Sequence, residues 1–443
     1  VEVSASHCEK AIQPLSTQKI DTLVMSVKNT SQLSQLLIQH SPVFIKTYGP
    51  GALSTASFRG TTASHTLVLW NGFQLNAPNM GQVDFSTIPV FMADNLSLGW
   101  GSGGSANSGG LGGVVNIETF SGFCKGLQLE LKQAYGCFNT WGTFLTIGHS
   151  GKRFSVRLKA YRNSSDNDFE YENSATIPHQ TMKQKNSEFM DFGLMPELHF
   201  MTIKGVISFV SWNQWNDRNL PPIMPNVGNL NSVEWTKDSF SRNHLSYKMY
   251  WKTGSFQAKS GCFIEKQNYF LETKNPVTDD RITYINSSNK SWVLHELAEL
   301  EQSIYQSWKL NAKVQWDMEQ VQSDNYEGTK SRDVVSFYAA MNGQAFPDVD
   351  LNFTLRFDVV DGRSKGVFPT MSFSYEMPFL PEMTAALGYS HNYRNPSLND
   401  LYWYPGGNEN LLSEDGRTFD FEIKLGRQNN VFPLNGGLAC TLH

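Results

Sequence analysis

Alternation with a period of two runs through most of this chain, and it restricts the fold more than any other feature. Between positions 308 and 319, Trp308, Leu310, Ala312, Val314, Trp316 and Met318 alternate with Lys309, Asn311, Lys313, Gln315, Asp317 and Glu319. Successive side chains of a strand point to opposite faces, so such a strand has one apolar face and one polar face. The same pattern returns at Leu127 to Lys132, Phe154 to Ala160, Leu351 to Val359 and Phe419 to Leu425. Roughly fifteen such segments of about nine to thirteen residues follow residue 120, the length a tilted strand needs to cross a bilayer. A soluble sandwich with a dry core and a membrane barrel with a wet lumen both alternate in this way. Sandwich strands average about five or six residues, so the length predicts a transmembrane antiparallel β-barrel. The connections agree: residues 144–152 and 301–307 leave room for tight turns, whereas 163–187, 213–239 and 266–291 read as long polar loops.

Composition narrows the alternatives. Of 443 residues, 17% are charged and 13% aromatic, with a net charge of −5, which gives no electrostatic reason to expect nucleic acid or an anionic surface as partner. No uninterrupted apolar run reaches the eighteen or so residues of a membrane-spanning helix. The five cysteines, Cys8, Cys124, Cys137, Cys262 and Cys440, are odd in number and lack C-x-x-C spacing, so neither a zinc site nor a disulfide framework is expected. A pairing of Cys124 with Cys137 is weighed against isolated small apolar residues, and the latter reading is preferred.

Before residue 120 the grammar differs. Asn29 to His40 places Leu33, Leu36 and Leu37 at helical spacing behind a Ser/Thr-rich start. Short strands are expected at Val43 to Thr47, Ser57 to Arg59 and Thr66 to Trp70, the last followed by Asn71-Gly72, a strong turn signal. This is a small α/β unit of roughly one hundred residues. Its end, GWGSGGSANSGGLGGVVNIET from Gly99 to Thr119, opens with G-x-G-x-x-G. A nucleotide turn of that form needs a helix directly after it. Gly, Ser and then a β-branched strand follow instead, so a phosphate site is rejected.

Specific runs resemble the TonB-dependent outer-membrane receptor family. FRGTTASHTLVLWNGFQLN, Phe58 to Asn76, is similar to that family's plug segment, with Arg59, Gly60 and His65 as motif positions. Asp84, Ile88-Pro89 and the ending Gly112-Gly113-Val114-Val115-Asn116-Ile117 follow in the family's order. The Gly-rich loop departs from the family in having Trp100-Gly101-Ser102 where Arg-Gly-Pro is usual. Downstream, YRNPSLNDLY from Tyr393 to Tyr402 and Gly407 to Leu411 through Glu414 resemble the two boxes of the late barrel. The glycines then serve a backbone that turns tightly and packs against a barrel wall.

The resemblance implies a division into an energy-coupling box at 1–7, a plug at 8–120 and a barrel from 121 to 443. Val1, Glu2, Val3, Ser4, Ala5 and Ser6 are similar to the box that adds a strand to a TonB-type coupling protein. It implies localisation in the bacterial outer membrane, contact with its lipid, and energy-coupled uptake of a large scarce nutrient, with no catalysis and no required cofactor. The plug run looks most like the cobalamin-transporter subgroup. A siderophore or haem receptor is the alternative, although no His lies between Arg394 and Leu411, which counts against haem. A surface ligand-capture protein without active transport is the alternative of another class, and a surface lipoprotein is a further partner to consider. Leu75, Asn76, Ala77, Pro78, Asn79, Met80 and Gly81 are placed at the extracellular plug apex, facing the small-molecule ligand. His65 is read as a hydrogen-bonded structural residue, not as a catalytic or haem-binding imidazole. Asp166, Asp168, Glu170 and Glu172 stand at alternate positions of a loop and are weighed as a Ca²⁺ site against a solvated loop, which is preferred.

Family barrels have about twenty-two strands, and this chain reaches His443 after roughly fifteen. It is therefore expected to be C-terminally truncated, as a fragment, one part of a split gene or a broken gene. Two open edges, near Leu127 and Leu438, would keep these residues alone from closing. Val1 is expected to follow a leader already removed.

Overall fold

The structure, a computed structural model, describes residues 16–49, 51–101, 107–120, 122–123, 126–174, 177–221, 232–274, 278, 280–305, 307–377, 383–425 and 435–442. The coupling segment Val1 to Ser6, Cys8, Cys124 and residues 102–106 of the Gly-rich loop lie outside them.

The N-terminal unit is built on a five-stranded sheet. Its elements are β1 (Ser16–Lys19), α1 (Thr22–Val27), α2 (Leu33–His40), β2 (Phe44–Thr47), β3 (Ser54–Ser57), β4 (Thr66–Trp70), β5 (Phe73–Gln74), β6 (Asn95–Trp100) and β7 (Gly113–Glu118). The sheet order is β1-β6-β7-β4-β5, while β2 and β3 pair separately. β4 and β7 run parallel at its centre. Leu67, Val68, Trp70, Val115 and Ile117 there are almost fully buried, as expected for parallel strands covered on both faces. α2 lays Leu33, Leu36 and Leu37 against this core.

The expected boundaries shift for local reasons. α2 begins at Leu33 and not at Asn29, because the preceding residues turn and Gln32 bridges Pro89. α1, not foreseen, starts where the Asp21 carboxylate accepts a bond from Leu23 N at 2.8 Å, an N-cap. β3 ends at Ser57, ahead of the expected strand, because Arg59 (φ 48°) and Gly60 (φ 77°) turn the chain.

Past Gly126 the chain forms fifteen strands in one antiparallel sheet. They are β8 (Gly126–Gly136), β9 (Thr140–Ser150), β10 (Phe154–Ser165), β13 (Phe189–Met201), β14 (Gly205–Asn219), β15 (Val233–Trp251), β16 (Gly254–Lys274), β17 (Arg281–Tyr305), β18 (Trp308–Ser323), β19 (Thr329–Phe346), β20 (Val349–Val360), β21 (Arg363–Glu376), β22 (Met383–Arg394), β23 (Glu414–Leu425) and β24 (Asn435–Leu442). Each pairs with its neighbours in this order, and β8 and β24 are the terminal strands. A small hairpin, β11 (Glu170–Asn173) with β12 (Gln180–Lys183), decorates the connection from β10 to β13, and α3 (Leu398–Tyr402) lies between β22 and β23.

Several strands outgrow the expected length. β15, β16 and β17 have 19, 21 and 25 residues, so much of 213–239 and 266–291, read as loop, is strand. Above the lipid both faces of a sheet can be polar, and pairing continues there without the apolar alternation that marks a strand in sequence.

The wall wraps the N-terminal unit, and its polarity is inverted relative to a soluble sheet. On β18 the inward Asn311, Lys313 and Gln315 are 0%, 5% and 4% exposed, whereas the outward Val314 and Trp316 are 45% and 38% exposed. Apolar side chains face lipid and polar ones pack against the plug. Val314→Lys should therefore cost about 2 to 4 kcal/mol in lipid vesicles. Gln315→Lys, which points inward beside Asp317 at 2.7 Å, should cost much less. Urea titration of the two variants checks this, and equal losses would mean that this face does not meet hydrocarbon.

Candidate functional site

The site starts from a tight hairpin. Asn71 (φ 51°) and Gly72 (φ 91°) turn β4 into β5, the two left-handed residues that an Asn-Gly hairpin requires. The turn presents Trp70 and Phe73 to an aromatic set on the wall. Trp70 meets Trp212 edge-on at 5.6 Å and Phe263 at 5.9 Å. Phe73 stacks on His295 at 5.0 Å and meets His244 at 5.5 Å. Lys259 Nζ donates to Asn71 O at 2.9 Å and ties the turn itself to β16.

Beyond the hairpin, residues 75–81 form a loop, here called the apex, packed against α3 and the ends of β14 to β17 away from their short turns. Asn76 is 8% exposed and spends its side chain on the turn: Oδ1 accepts from Val68 N at 2.9 Å, and Nδ2 donates to Thr66 O at 2.8 Å and Gly81 O at 3.1 Å. It shapes the apex. Leu75, Ala77, Asn79 and Met80 line a cavity of about 210 Å³ between the apex and β14 to β17. Asn79 Oδ1 is buried there without a hydrogen-bond partner.

Asp84 fixes the base of this cavity. Its Oδ1 accepts from Ser54 N and Ser86 N at 2.9 Å, and its Oδ2 accepts from Arg218 at 2.7 Å. Arg218 reaches Asp238 at 2.7 Å with its other terminal nitrogen. Arg242, on the same wall, pairs with Glu265 at 2.7 Å, and Phe240 and Tyr269 complete an amphipathic lining. Nothing within one strand marks Arg218, Asp238, Arg242 or Glu265 as special, since each occupies an inward position where polar residues are the rule. Only the register that stacks them beside the apex distinguishes them.

The two distant sequence motifs meet on the other flank. Arg59 pairs with Asp420, His65 Nε2 lies 2.5 Å from Glu414, and Arg394 reaches the other Glu414 oxygen at 3.3 Å. α3 sits directly on the apex: Leu398 N donates to Pro78 O at 2.9 Å and Asn399 N to Asn79 O at 3.0 Å. Its N-terminus carries a capping box between Ser397 and Asp400. A second, polar cavity of about 60 Å³ lies beneath it, lined by Gln74, Asn76, Asp317, Glu319, Arg332 and Arg394 among others.

Close packing accounts for three glycines of the glycine-rich run. A Cβ at Gly113 would lie 2.5 Å from the Phe58 ring and 2.7 Å from Gly99 O, and one at Gly101 (φ 93°) would meet Asp420 at 2.7 Å. Gly112 similarly abuts Thr61. At Gly112 and Gly113 a side chain would collide with the plug's own residues, and of the three only Gly101 faces the wall.

At the far corner of the plug, Asp94 receives Lys159 at 2.8 Å and Arg157, which also holds Glu197 at 2.8 Å. Burial works to raise the Asp94 carboxyl, but Lys159 and Arg157 outweigh it and hold it below the usual carboxylate range. A depressed folded value means that this contact stabilises fully above the unfolded pKa, near 4, and is lost as pH falls through the lower folded value. Acidification below about pH 4 should therefore loosen this corner, and Asp94→Asn should remove that part of the acid sensitivity, as read by hydrogen exchange at residues 90–96.

The acidic loop does not converge. Asp166 accepts from Asn139 at 3.1 Å, Asp168 pairs with Lys183 at 3.1 Å and Glu172 with His179 at 3.0 Å, while Glu170 begins β11. Among the described residues no three His, Cys, Asp or Glu side chains gather as a metal would need.

The TonB-dependent Receptor Plug Domain family matches residues 9–114, and the TonB dependent receptor-like, beta-barrel family matches residues 84–437. Vitamin B12 transporter BtuB of Photobacterium profundum is 21% identical over 448 residues, covering 95% of this chain and 66% of that protein. BtuB of Vibrio vulnificus is 29% identical over 105 residues, 21% of this chain and 17% of its own length. This chain thus spans less than two thirds of the length of either relative. Among solved structures, the copper transporter OprC superposes with a TM-score of 0.74 at 12% identity, covering 95% of this chain and 72% of that one. The siderophore receptor PirA from Acinetobacter baumannii does so with a TM-score of 0.74 at 12% identity, over 94% and 69% of the two chains.

Proposed function

Because this chain belongs to the TonB-dependent receptor family of outer-membrane β-barrel proteins, we propose that it takes up a large scarce nutrient, cobalamin-like in character, in an energy-coupled step. The carrying observation is the cavity between the plug apex and β14 to β17. Its arginines are already matched, Arg218 by Asp84 and Asp238 and Arg242 by Glu265. With Lys266 beside them, Arg218 and Arg242 balance Asp84, Asp238 and Glu265 in number, and a lining so balanced has little surplus field for a strongly anionic ligand and suits a bulky one of small net charge held by apolar contact and scattered hydrogen bonds. Phe240, Met80 and Tyr269 supply the apolar contact.

The runner-up is a ferric siderophore, favoured by the fold-level likeness to siderophore receptors. Coupling would run through a TonB-type protein engaging Val1 to Ser6. Titrating the receptor with cyanocobalamin and with a ferric catecholate separates the two readings. The expected result is saturable cobalamin binding that weakens when Met80 is replaced by Glu. Binding of the ferric catecholate alone would overturn the cobalamin reading.

A further inference from the structure

The lipid-facing belt of the wall is interrupted on four adjacent strands. Inward side chains of β14, β15 and β17 are identified by burial: Trp212 and Gln214, Arg242 and His244, His295 and Leu297. Alternation then turns Ser211 and Asn213, Ser241 and Asn243, and Glu296 outward, on the face shared by the exposed Trp215, Leu245 and Leu300, with Ser211 itself only 7% exposed. β16 adds Ser260 and Cys262, the register partners of Leu245 and Asn243. Glu296 stands between Leu294 and Ala298, roughly nine residues or about 20 Å of tilted strand above the short turn, at hydrocarbon depth. The strands on either side present Leu194, Leu198 and Phe200, or Val314, Trp316 and Phe337, on the same outer face.

Four of these residues close a ring of hydrogen bonds. Ser211 Oγ donates to Asn243 Oδ1 at 2.7 Å, Asn243 Nδ2 to Ser241 Oγ at 3.3 Å, Ser241 Oγ to Asn213 Oδ1 at 2.8 Å, and Asn213 Nδ2 to Ser211 Oγ at 2.8 Å. Each Asn amide keeps one N–H beyond the ring. Beside the ring, Ser260 Oγ donates to Glu296 Oε1 at 2.7 Å, leaving the second carboxylate oxygen to find a donor. Lipid tails supply neither donors nor acceptors, and an ionisable group facing them is costly unless something polar covers it.

We propose that this patch is an interface within the membrane, and that its occupant is a second copy of this chain. The argument for self-association is complementarity. Spare N–H donors and an acceptor carboxylate lie side by side, so a two-fold axis through the patch sets the Glu296 of each copy against the asparagines of the other. The rim of Trp215, Leu245 and Trp316 then packs around a covered polar centre.

Cys262, exposed within the patch, supplies the test. In the native outer membrane, a full-length receptor retaining Cys262 and carrying Ser at its other cysteines is treated with a short bifunctional maleimide. A covalent dimer of twice the receptor mass is expected. Its yield should fall about ten-fold or more in the triple variant Asn213→Leu, Asn243→Leu, Glu296→Leu. Those changes make the wall more lipid-like, so insertion is preserved, and heat-modifiability verifies it. An undiminished dimer in the triple variant, monomers whose Cys262 reacts only with a single-headed maleimide, or an adduct of another mass would each overturn the proposal.

Discussion

Arg218→Met lowers the stability of the plug in its barrel by about 3 to 5 kcal/mol, the cost of stranding buried charge. Arg218 is 5% exposed and stands between Asp84 and Asp238, 2.7 Å from each. Without the guanidinium, two carboxylates face one another across the cavity floor with only hydroxyl and amide donors left. Asp84 organises the loop through Ser54 and Ser86, so the disturbance should reach the apex and weaken ligand binding together with stability. The double variant Arg218→Met, Asp238→Leu should recover part of the loss, since it removes one stranded charge. Hydrogen exchange across residues 77–88 measures both, and unchanged protection in the single variant would show that the triad does not hold the apex.

Trp70→Ala should be comparably severe, about 3 to 5 kcal/mol for a large aromatic emptied from a packed site. Trp70 is fully buried and touches Trp212, His244 and Phe263 on the wall. The plug should become protease-sensitive while the wall strands keep their hydrogen-exchange protection, because the wall strands pair with one another and not with β4. Trp316→Ala is the control: that ring faces outward and is 38% exposed, so it should leave plug protection intact. Equal proteolysis of the two variants would show that the hairpin is not the anchor.

The wall was legible in sequence because alternation is local: Lys309 to Glu319 reveals both faces of β18 without reference to any other strand. The parallel core of the plug was half legible. Thr66 to Trp70 and the Asn71-Gly72 turn stand where the sequence places them, whereas α1 rests on a single Asp21 cap that composition does not advertise. The heights of β15 to β17 were hidden because strands wet on both faces look like loops. The cavity was hidden for a further reason. Arg218, Asp238 and Glu265 are joined by register across three strands, and register follows from turns and pairing and not from the identity of any one residue. Asn76 shows the converse: the sequence offers it as a candidate ligand contact, and the folded turn commits its amide to backbone.

Two kinds of adhesion hold the plug. Apolar contact is concentrated where Trp70 and Phe73 sit among aromatic rings and where Phe91 meets Phe144, and the remaining contacts are mostly ions and amides such as Lys159 with Asp94, Arg59 with Asp420 and Gln214 with Thr87 O. Polar contacts can be traded for water at a modest net cost, whereas apolar ones have no substitute in water. Detachment therefore has an order built into the chemistry. Water advancing between plug and wall should free the ionic flanks first, and the apolar contacts, Trp70 and Phe73 at one corner and Phe91 on Phe144 at another, should let go last.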